Sequence, residues 1–491
     1  MNIWIDSANT ADILVYLAYE EESFPHKLGE AHKRSGSVAW LYGRSEEEPD
    51  VLAVGMGKRS GLTLEKIRRA AGSAARKAQQ EGRSSASLVR MPSSDKDAAG
   101  ENSTIAAADW LQAWTEGWLL GLYRFQAYRE FTRVDAAVDF MLQLKEWPEL
   151  TNVELGAVLE IARIRADGAM LARDRVNESP DTLNPDKFTE WMAEYFDRAD
   201  LPVKVHVYKE QELADLQMNG LRAVGAGSKH SPALVEIRYE GNPELPMLAL
   251  VGKGVTFDMG GMNVKTASDI SDARMDMGGA AAVIGAMDIL LRKRANVNVT
   301  ALIPVVDNVP DAEAILPSSV IRYPNGLTVQ VANTDGEGRL IIADALIHAA
   351  NIGAAEVIDI ATLTGNVGAA LGLGIAGIWG DADMTRSLVE IGESNGERLW
   401  PMPLMDEYEA DLRSNYADLR NVGTSSFAGA ITAALFIRRF VAESMKWIHI
   451  DMAGTVQYKQ DVGYSEVGAT GYGARLLADY AMKQAALTKS I

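Results

Sequence analysis

The sequence predicts an α/β protein of two domains, each a mainly parallel mixed sheet sandwiched by helices, with the larger domain C-terminal. Three observations predict it. The chain has 491 residues, enough for two or three domains. Most strand candidates are continuous apolar runs, as expected of strands buried on both faces. Segments with apolar residues at helical spacing separate them, and strands alternating with helices favour parallel pairing.

Residues 1–165 make the first domain. Ser37–Tyr42 and Val51–Val54 read as strands, and Leu62–Gln80 as a helix with Leu64, Ile67, Ala71 and Ala74 along one face. Ser87–Arg90 is a further strand. Pro92–Ser103 is polar and turn-rich, a surface loop. Ile105–Tyr128 predicts a helix whose buried stripe is Leu111, Trp114, Trp118 and Leu122. Asn152–Leu159 predicts a closing strand. An interdomain helix follows at 161–176, and Asn177-Glu178-Ser179-Pro180-Asp181 breaks it, so the boundary is set near 165. No cluster of reactive side chains occurs in this half.

The second domain spans 175–491. Its predicted strands are Val203–Val207, Met247–Val251, Asn298–Val306, Leu327–Val331, Val357–Ala361 and Trp447–Asp451. Its predicted helices are Ala280–Arg294, Ile341–Asn351, Met384–Asn395, Ala430–Ala442 and Gly471–Lys483.

Composition narrows the chemistry. Hydrophobic residues make up 47% of the chain, ample for a large core. A net charge of −19 argues against a nucleic-acid partner, which needs a basic footprint. The basic residues Lys66, Arg68, Arg69, Arg76 and Lys77 read as the solvated face of the Leu62–Gln80 helix. With no cysteine, disulfides, thiolate zinc sites and cysteine nucleophiles are excluded. Six histidines are scattered and none forms His-Glu-x-x-His, so any metal is held mostly by carboxylates. The N-terminus lacks the pattern of a signal peptide, and no uncharged stretch has the length of a membrane helix. A cytoplasmic protein with no membrane partner is expected.

The most informative stretch is Asn333-Thr334-Asp335-Gly336-Glu337-Gly338-Arg339-Leu340, between a strand candidate and a helix candidate. On an extended turn, alternate acids point their carboxylates to one side. Ligands of open α/β sheets bind at the carboxyl ends of strands. A second charged stretch runs from Val251 to Gly261, with Lys253 and Asp258; Lys265 lies beyond it, then Arg274-Met275-Asp276-Met277-Gly278-Gly279. Lys253, Asp258, Asp276, Asp335 and Glu337 together make a hard-cation ligand set suited to Mg, Mn or Zn. A lysine ligand binds only as the neutral amine, so its pKa is expected to fall below about 10.4. Four acids balance one or two dications, and two ions about 3.5–4 Å apart can share a bridging water. Lys265 and Arg339 flank the set and are suited to polarise a carbonyl or hold an anion.

These segments resemble the leucyl aminopeptidase (cytosol aminopeptidase) family of di-metal exopeptidases. The motif Asn-Thr-Asp-x-Glu-Gly-Arg-Leu stands at 333–340, Val-Gly-Lys-Gly-x-Thr-Phe-Asp at 251–258, and Asp-Met-x-Gly-Ala-Ala at Asp276–Ala281. Ile360–Gly365, Asn421-Val422-Gly423, Ala428–Leu435, Asp451–Thr455 and Gly468–Gly471 also fit, in register from about 174 to 478. The resemblance implies a tighter metal held by Lys253, Asp258, Asp276 and Glu337, and a more exchangeable one held by Asp258, Asp335 and Glu337. It implies Lys265 as stabiliser of the oxyanion, and Arg339 as holder of a bicarbonate general base beside backbone amides near Gly338 and Leu363. It further implies attack by a metal-bridging hydroxide on the first peptide bond of peptides with a free N-terminus. Thr362, Leu363, Thr364 and Ala273 would border the substrate, and the assembly would be a homohexamer. Four positions depart from the family pattern: Met259 for Ser, Thr266 for Pro, Gly336 for Ala, and Ala273 for a pocket Met. Ala273 implies a roomier pocket than one for leucine alone.

Gly372–Gly377 matches Gly-x-Gly-x-x-Gly, yet it does not directly follow a strand, and it reads as close backbone packing. No Gly-x-Ser-x-Gly elbow occurs, which argues against a serine hydrolase. A catalytically silent binding or structural member of the same fold is the alternative. Retention of every ligand, Lys265 and Arg339 argues against it.

Overall fold

Seven uncharged residues, Ile13–Tyr19, form the inner strand on which the N-terminal sheet is built. The computed structural model describes residues 1–6, 11–43, 45, 48–90, 105–130, 137–266 and 269–488. In chain order, β1 (Ile3–Ile5), β2 (Ile13–Tyr19), β3 (Val38–Leu41), β4 (Asp50–Gly57), β5 (Ser85–Val89) and β6 (Asp139–Leu142) pair in the order β1-β6-β5-β2-β4-β3. All pairs are parallel except β3 with β4. The expected loop over 92–103 lies almost wholly outside the described residues.

Helices α1 (Leu64–Gln80) and α2 (Ala107–Gly121) cross with their backbones in contact. A Cβ at Gly117 would lie 2.2 Å from the Arg68 carbonyl oxygen, and one at Gly121 would lie 2.6 Å from Gly72 Cα. Helix α2 stops at Gly121, short of the expected Tyr128. The basic face of α1 is solvated only in part: Lys66 and Arg69 are exposed, and Arg76 and Lys77 are half-buried. Arg68 is buried and donates to Glu116 at 2.7 Å, Arg69 pairs with Glu65, and Arg76 with Asp461.

The expected strand at 152–159 is a helix. Residues Asn152–Asn177 form one continuous helix, α3. Thr151 and Glu154 form a capping box: Thr151 N–H donates to Glu154 Oε2 at 2.8 Å, and Glu154 N–H to Thr151 Oγ1 at 3.3 Å. Leu155, Leu159, Ala162, Ala166 and Ala169 are buried at helical spacing, which a strand would not place on one side. Leu155→Ala is therefore expected to cost about 2–4 kcal/mol, the usual penalty for truncating a fully buried leucine. Urea unfolding of the full chain measures it.

The chain divides into two compact units, and the division falls inside α3, after Met170. Ser394–Gly396 and Tyr458–Gly468 belong with the first unit. The second unit runs α4 (Pro185–Phe196), β7 (Val203–Lys209), α5 (Glu210–Asp215), α6 (Asn219–Val224), β8 (Ala233–Glu240), β9 (Leu248–Gly252), β10 (Gly254–Asp258), α7 (Gly278–Arg292) and β11 (Asn298–Asn308). Next come β12 (Val320–Arg322), β13 (Thr328–Gln330), α8 (Gly338–Asn351), β14 (Glu356–Ala361), α9 (Gly365–Leu371), β15 (Ala376–Gly380), α10 (Ala382–Asn395) and β16 (Leu399–Pro401). The unit continues through β17 (Leu419–Arg420), α11 (Gly429–Arg438) and β18 (Lys446–Asp451) to its last helix, α12 (Ala474–Thr488).

Its main sheet is ordered β16-β15-β18-β14-β9-β11-β8-β7, with β10 added on β11. The centre, β18-β14-β9-β11, is parallel, and antiparallel strands lie toward both edges. Strand β13, expected in this sheet, lies instead in a small sheet between β12 and β17. The turn Tyr323–Leu327 folds it back on β12 as a hairpin, with Tyr323 N–H donating to Leu327 O at 2.8 Å. In the glycine run at 372–377, Gly372 ends α9 with φ +76°, and its carbonyl oxygen would lie 2.4 Å from a Cβ at Gly454, a close backbone approach. Gly377 also packs tightly, where a Cβ would lie 2.8 Å from Val367 Cγ2.

Candidate metal centre

The carboxyl ends of the parallel strands converge on the charged residues. Lys253 follows β9, Asp258 ends β10, Thr362 follows β14, and Asp451 ends β18. Asp276 comes from the 3-10 turn Ser271–Met277. Asp335 sits in a turn, and Glu337 already has helical angles (φ −71°, ψ −40°) before α8. The Asp335–Glu337 stretch is thus not extended, as the alternation of acids implied. A turn closed by Gly336 N–H on Asn333 O at 3.1 Å leads directly into helix α8. This leaves Asp335 partly exposed and Glu337 buried.

Oxygens of Asp258, Asp335 and Glu337 lie within 4.8 Å of one another, an arrangement that could hold a metal ion. Lys253 is buried, with Nζ 2.7 Å from Asp276 Oδ2 and 2.8 Å from Glu337 Oε1, and it donates to the Thr362 carbonyl at 3.1 Å. Lys265 Nζ lies 2.8 Å from Asp258 Oδ2 and also pairs with Asp335. Glu337 Oε2 and Arg339 Nε are buried without a hydrogen-bond partner among the described residues. Arg339 donates through Nη1 to the Asn421 carbonyl at 2.9 Å.

Opposing influences act on Lys253. Burial disfavours its charge, but the carboxylates of Asp276, Glu337 and Asp258 outweigh that and hold its pKa above the ordinary lysine range. The neutral amine of a ligand lysine needs a cation's field, which would displace this proton. Lys265 is likewise raised: burial opposes, and Asp258 and Asp335 prevail. Burial lifts Asp276 and Glu337 above the usual carboxylate range, and repulsion from neighbouring acids adds to it. Burial depresses the Arg339 guanidinium.

The descriptions of known proteins agree with this architecture. The model of the cytosol aminopeptidase family, catalytic domain, matches residues 170–478, and that of the family's N-terminal domain matches 26–131. The chain belongs to the cytosol aminopeptidase family. A probable cytosol aminopeptidase of Geobacter sp. (strain M21) is 38% identical over 438 residues, 88% of this chain and 85% of the relative. One from Roseiflexus castenholzii (strain DSM 13941 / HLO8) is 36% identical over 490 residues, 96% of each. Among solved structures, a tomato leucine aminopeptidase mutant matches with TM-score 0.85 and 28% identity, over 98% of this chain and 96% of the other. The bottromycin maturation enzyme BotP matches with TM-score 0.84 and 30% identity, over 97% of this chain and all of the other. It has also been solved in complex with Mn, at TM-score 0.84 and 28% identity over the same shares. As a member of this family the chain is a hydrolase of the aminopeptidase class. Among its described residues no helix is long and apolar enough to cross a membrane.

This cytosol aminopeptidase fold brings together two ion-paired groups, Lys253 with Asp276 and Glu337 and Lys265 with Asp258 and Asp335, whose Asp258, Asp335 and Glu337 oxygens lie within 4.8 Å of one another. Thr362 joins the first, donating through Oγ1 to Asp276 Oδ1 at 2.8 Å. Arg339 lies two residues beyond Glu337 and is bonded to the same loop framework. Thr364 and the Leu363 amide face Asp451 instead, at 2.7 and 3.2 Å, so the Leu363 N–H expected to meet an anion is engaged. Ala273 is half-buried in the turn that carries Asp276.

Three positioning side chains were given no role at the sequence level. Asn308, the last residue of β11, donates to Asp258 Oδ1 at 2.9 Å and to the Thr334 carbonyl at 3.1 Å. Asn421 is fully buried and clamps the 332–336 turn: it donates to Asn333 O at 2.7 Å and accepts from Ala332 N–H at 2.8 Å. Asp451 is the third. Asn421 and Asp451 sit inside quoted motifs; the signal for Asn308 was a polar residue at a strand's carboxyl end.

Glycine is required beside Lys253. A Cβ at Gly338, the first residue of α8, would lie 2.7 Å from both Cε and Nζ of Lys253. Gly338→Ala is expected to displace the lysine amine. Turnover should fall by roughly 100-fold, the scale of a misplacement of about 1 Å. The melting temperature should move little, since alanine favours a helix. Steady-state kinetics and thermal unfolding separate the two.

Proposed function

We propose that the chain is a metal-dependent aminopeptidase that removes apolar N-terminal residues from peptides. The observation that carries this reading is the set formed by buried Asp258 and Glu337 and partly exposed Asp335, with Glu337 linked through Lys253 to Asp276. Its donors fit divalent cations: hard carboxylate oxygens, one of them, Glu337 Oε2, buried without a partner among the described residues. In this reading Lys253, Asp258, Asp276 and Glu337 hold one cation, and Asp258, Asp335 and Glu337 a second, with Zn, Mn or Mg as candidates. When bound, the cations supply Lewis-acid polarisation and an acidified water.

The chain's own residues supply the rest. Lys265 keeps its proton and is partly exposed, so it can donate to the oxygen that gains charge when a carbonyl is attacked. Arg339 has a buried Nε–H without a hydrogen-bond partner among the described residues, which suits a bicarbonate able to take a proton. Thr362, Leu363 and Thr364 form one wall for the substrate, and Ala273 lines its first side-chain pocket. The small Ala273 should admit methionine and phenylalanine as well as leucine. Restriction to free N-termini follows, because the α-amine adds a donor to the cation set.

Hydrolysis of an amino-acid p-nitroanilide series tests this. Metal-stripped protein should be inactive and should recover with manganese or zinc, and N-acetylated substrates should not be cleaved. Turnover that is indifferent to chelation, or no turnover with any cation by folded protein, would overturn the reading and favour a silent binding member of the fold.

A further inference from the structure

Beneath the substrate wall runs a buried polar column outside the ligand set. Strands β14 and β18 are parallel neighbours in register, Asp359 opposite His449 and Ala361 opposite Asp451. Alternate residues share a face, so Trp447, His449 and Asp451 line one side of β18, next to Asp359 on β14. All four are buried, and Asp359, His449 and Asp451 are completely so. His449 Nδ1 meets Asp359 Oδ1 at 2.5 Å, and Trp447 Nε1 donates to Asp359 Oδ2 at 2.7 Å. The Trp379 ring on β15 stacks on the imidazole, centroids 5.4 Å apart at 27°. His449 Nε2 has no hydrogen-bond partner among the described residues.

Such a group is costly in a core, and an apolar residue of the same size would pack there without that cost. Its place explains its retention. Two residues further along the same face, Asp451 accepts from the Leu363 amide, the Ala453 amide and the Thr364 hydroxyl. Thr362, at the head of that loop, holds Asp276 through its hydroxyl and Lys253 through its carbonyl.

We propose that the Asp359–His449 dyad is a positioning element for catalysis: it fixes Asp451, which fixes Thr362–Thr364 and so the placement of Asp276 and Lys253. The dyad acts through Asp451 and touches neither substrate nor cation. The assignment rests on the aminopeptidase reading and extends it to residues behind the reacting groups.

The test uses full-length enzyme at saturating manganese with a leucine p-nitroanilide. His449→Phe keeps the ring and loses the Nδ1 donor; kcat should fall at least about 30-fold with KM changed less than about 3-fold, as expected when placement rather than binding is lost. His449→Asn, whose amide nitrogen can replace Nδ1–H, should recover most of kcat, whereas His449→Gln should not. If His449→Phe does not fold, the Asn–Gln contrast decides. A double-mutant cycle with Asp451→Asn should be non-additive, the double variant being no slower than Asp451→Asn alone. A kcat within about 2-fold of the parent for both Phe and Gln, or losses that multiply in the cycle, would overturn the proposal. An inactive parent enzyme would instead overturn the aminopeptidase reading.

Discussion

Glu337→Gln is expected to abolish measurable peptide hydrolysis while leaving the protein folded. Glu337 belongs to both proposed cation positions, and its Oε2 is buried without a hydrogen-bond partner among the described residues. Removing its charge takes away a donor that an amide replaces poorly for a hard cation. Cation chemistry of this kind contributes several kcal/mol to a hydrolytic transition state. That corresponds to a loss on the order of a thousandfold or more in kcat. Stability should respond differently. Burial and repulsion from Asp258 disfavour the Glu337 carboxylate, so a neutral amide relieves a crowded site. Without added cation, the melting temperature of the variant should equal or exceed that of the parent. Manganese should raise the parent's melting temperature by mass action and leave the variant's nearly unchanged. Calorimetry with and without manganese, beside a kinetic assay, measures both halves. A variant that turns over at the parental rate would remove Glu337 from the site.

Lys265→Met should give the second large effect, of a different kind. Lys265 is expected to stabilise developing charge and not to hold a cation. Loss of one such donor typically costs about 10²–10³ in kcat, with little change in KM. Manganese affinity should be kept or increased, because a positive charge 2.8 Å from Asp258 is gone. The two variants therefore separate by titration: Glu337→Gln loses the cation, and Lys265→Met keeps it. Weaker manganese binding in Lys265→Met would show that the lysine organises the carboxylates instead.

Much of this site was legible in the chain because its residues stand where strands end. Lys253, Asp258 and Asp276 follow apolar runs or precede a helix, and Asp335 and Glu337 lie between a strand and a helix. Fold class was equally legible from the central strands, whose unbroken apolar character follows from burial on both faces. The failures have local causes. Asn152–Leu159 mixes exposed Val153 with polar neighbours, and only its Thr151–Glu154 capping box and the spacing of Leu155, Leu159 and Ala162 reveal the helix. Leu327–Val331 has the apolar content of a sheet strand, but its neighbouring hairpin turn decides its partner, and that is long-range information a run of residues does not carry. Strand β8 hides a buried Glu236, satisfied by His348 at 2.9 Å from a helix more than a hundred residues away. The clamps Asn308 and Asn421 are short polar side chains whose roles depend on which turns meet, and no spacing rule announces them.

The central claim is that divalent cations sit among Lys253, Asp258, Asp276, Asp335 and Glu337. Anomalous diffraction from crystals of the full chain soaked in manganese tests it most directly. The account predicts two adjacent peaks within bonding distance of these carboxylates, about 3.5–4 Å apart as in paired hydrolytic ions. It also predicts that the Lys253 amine turns toward one of them. Manganese found elsewhere, with Lys253 still ion-paired to Asp276 and Glu337, would contradict it.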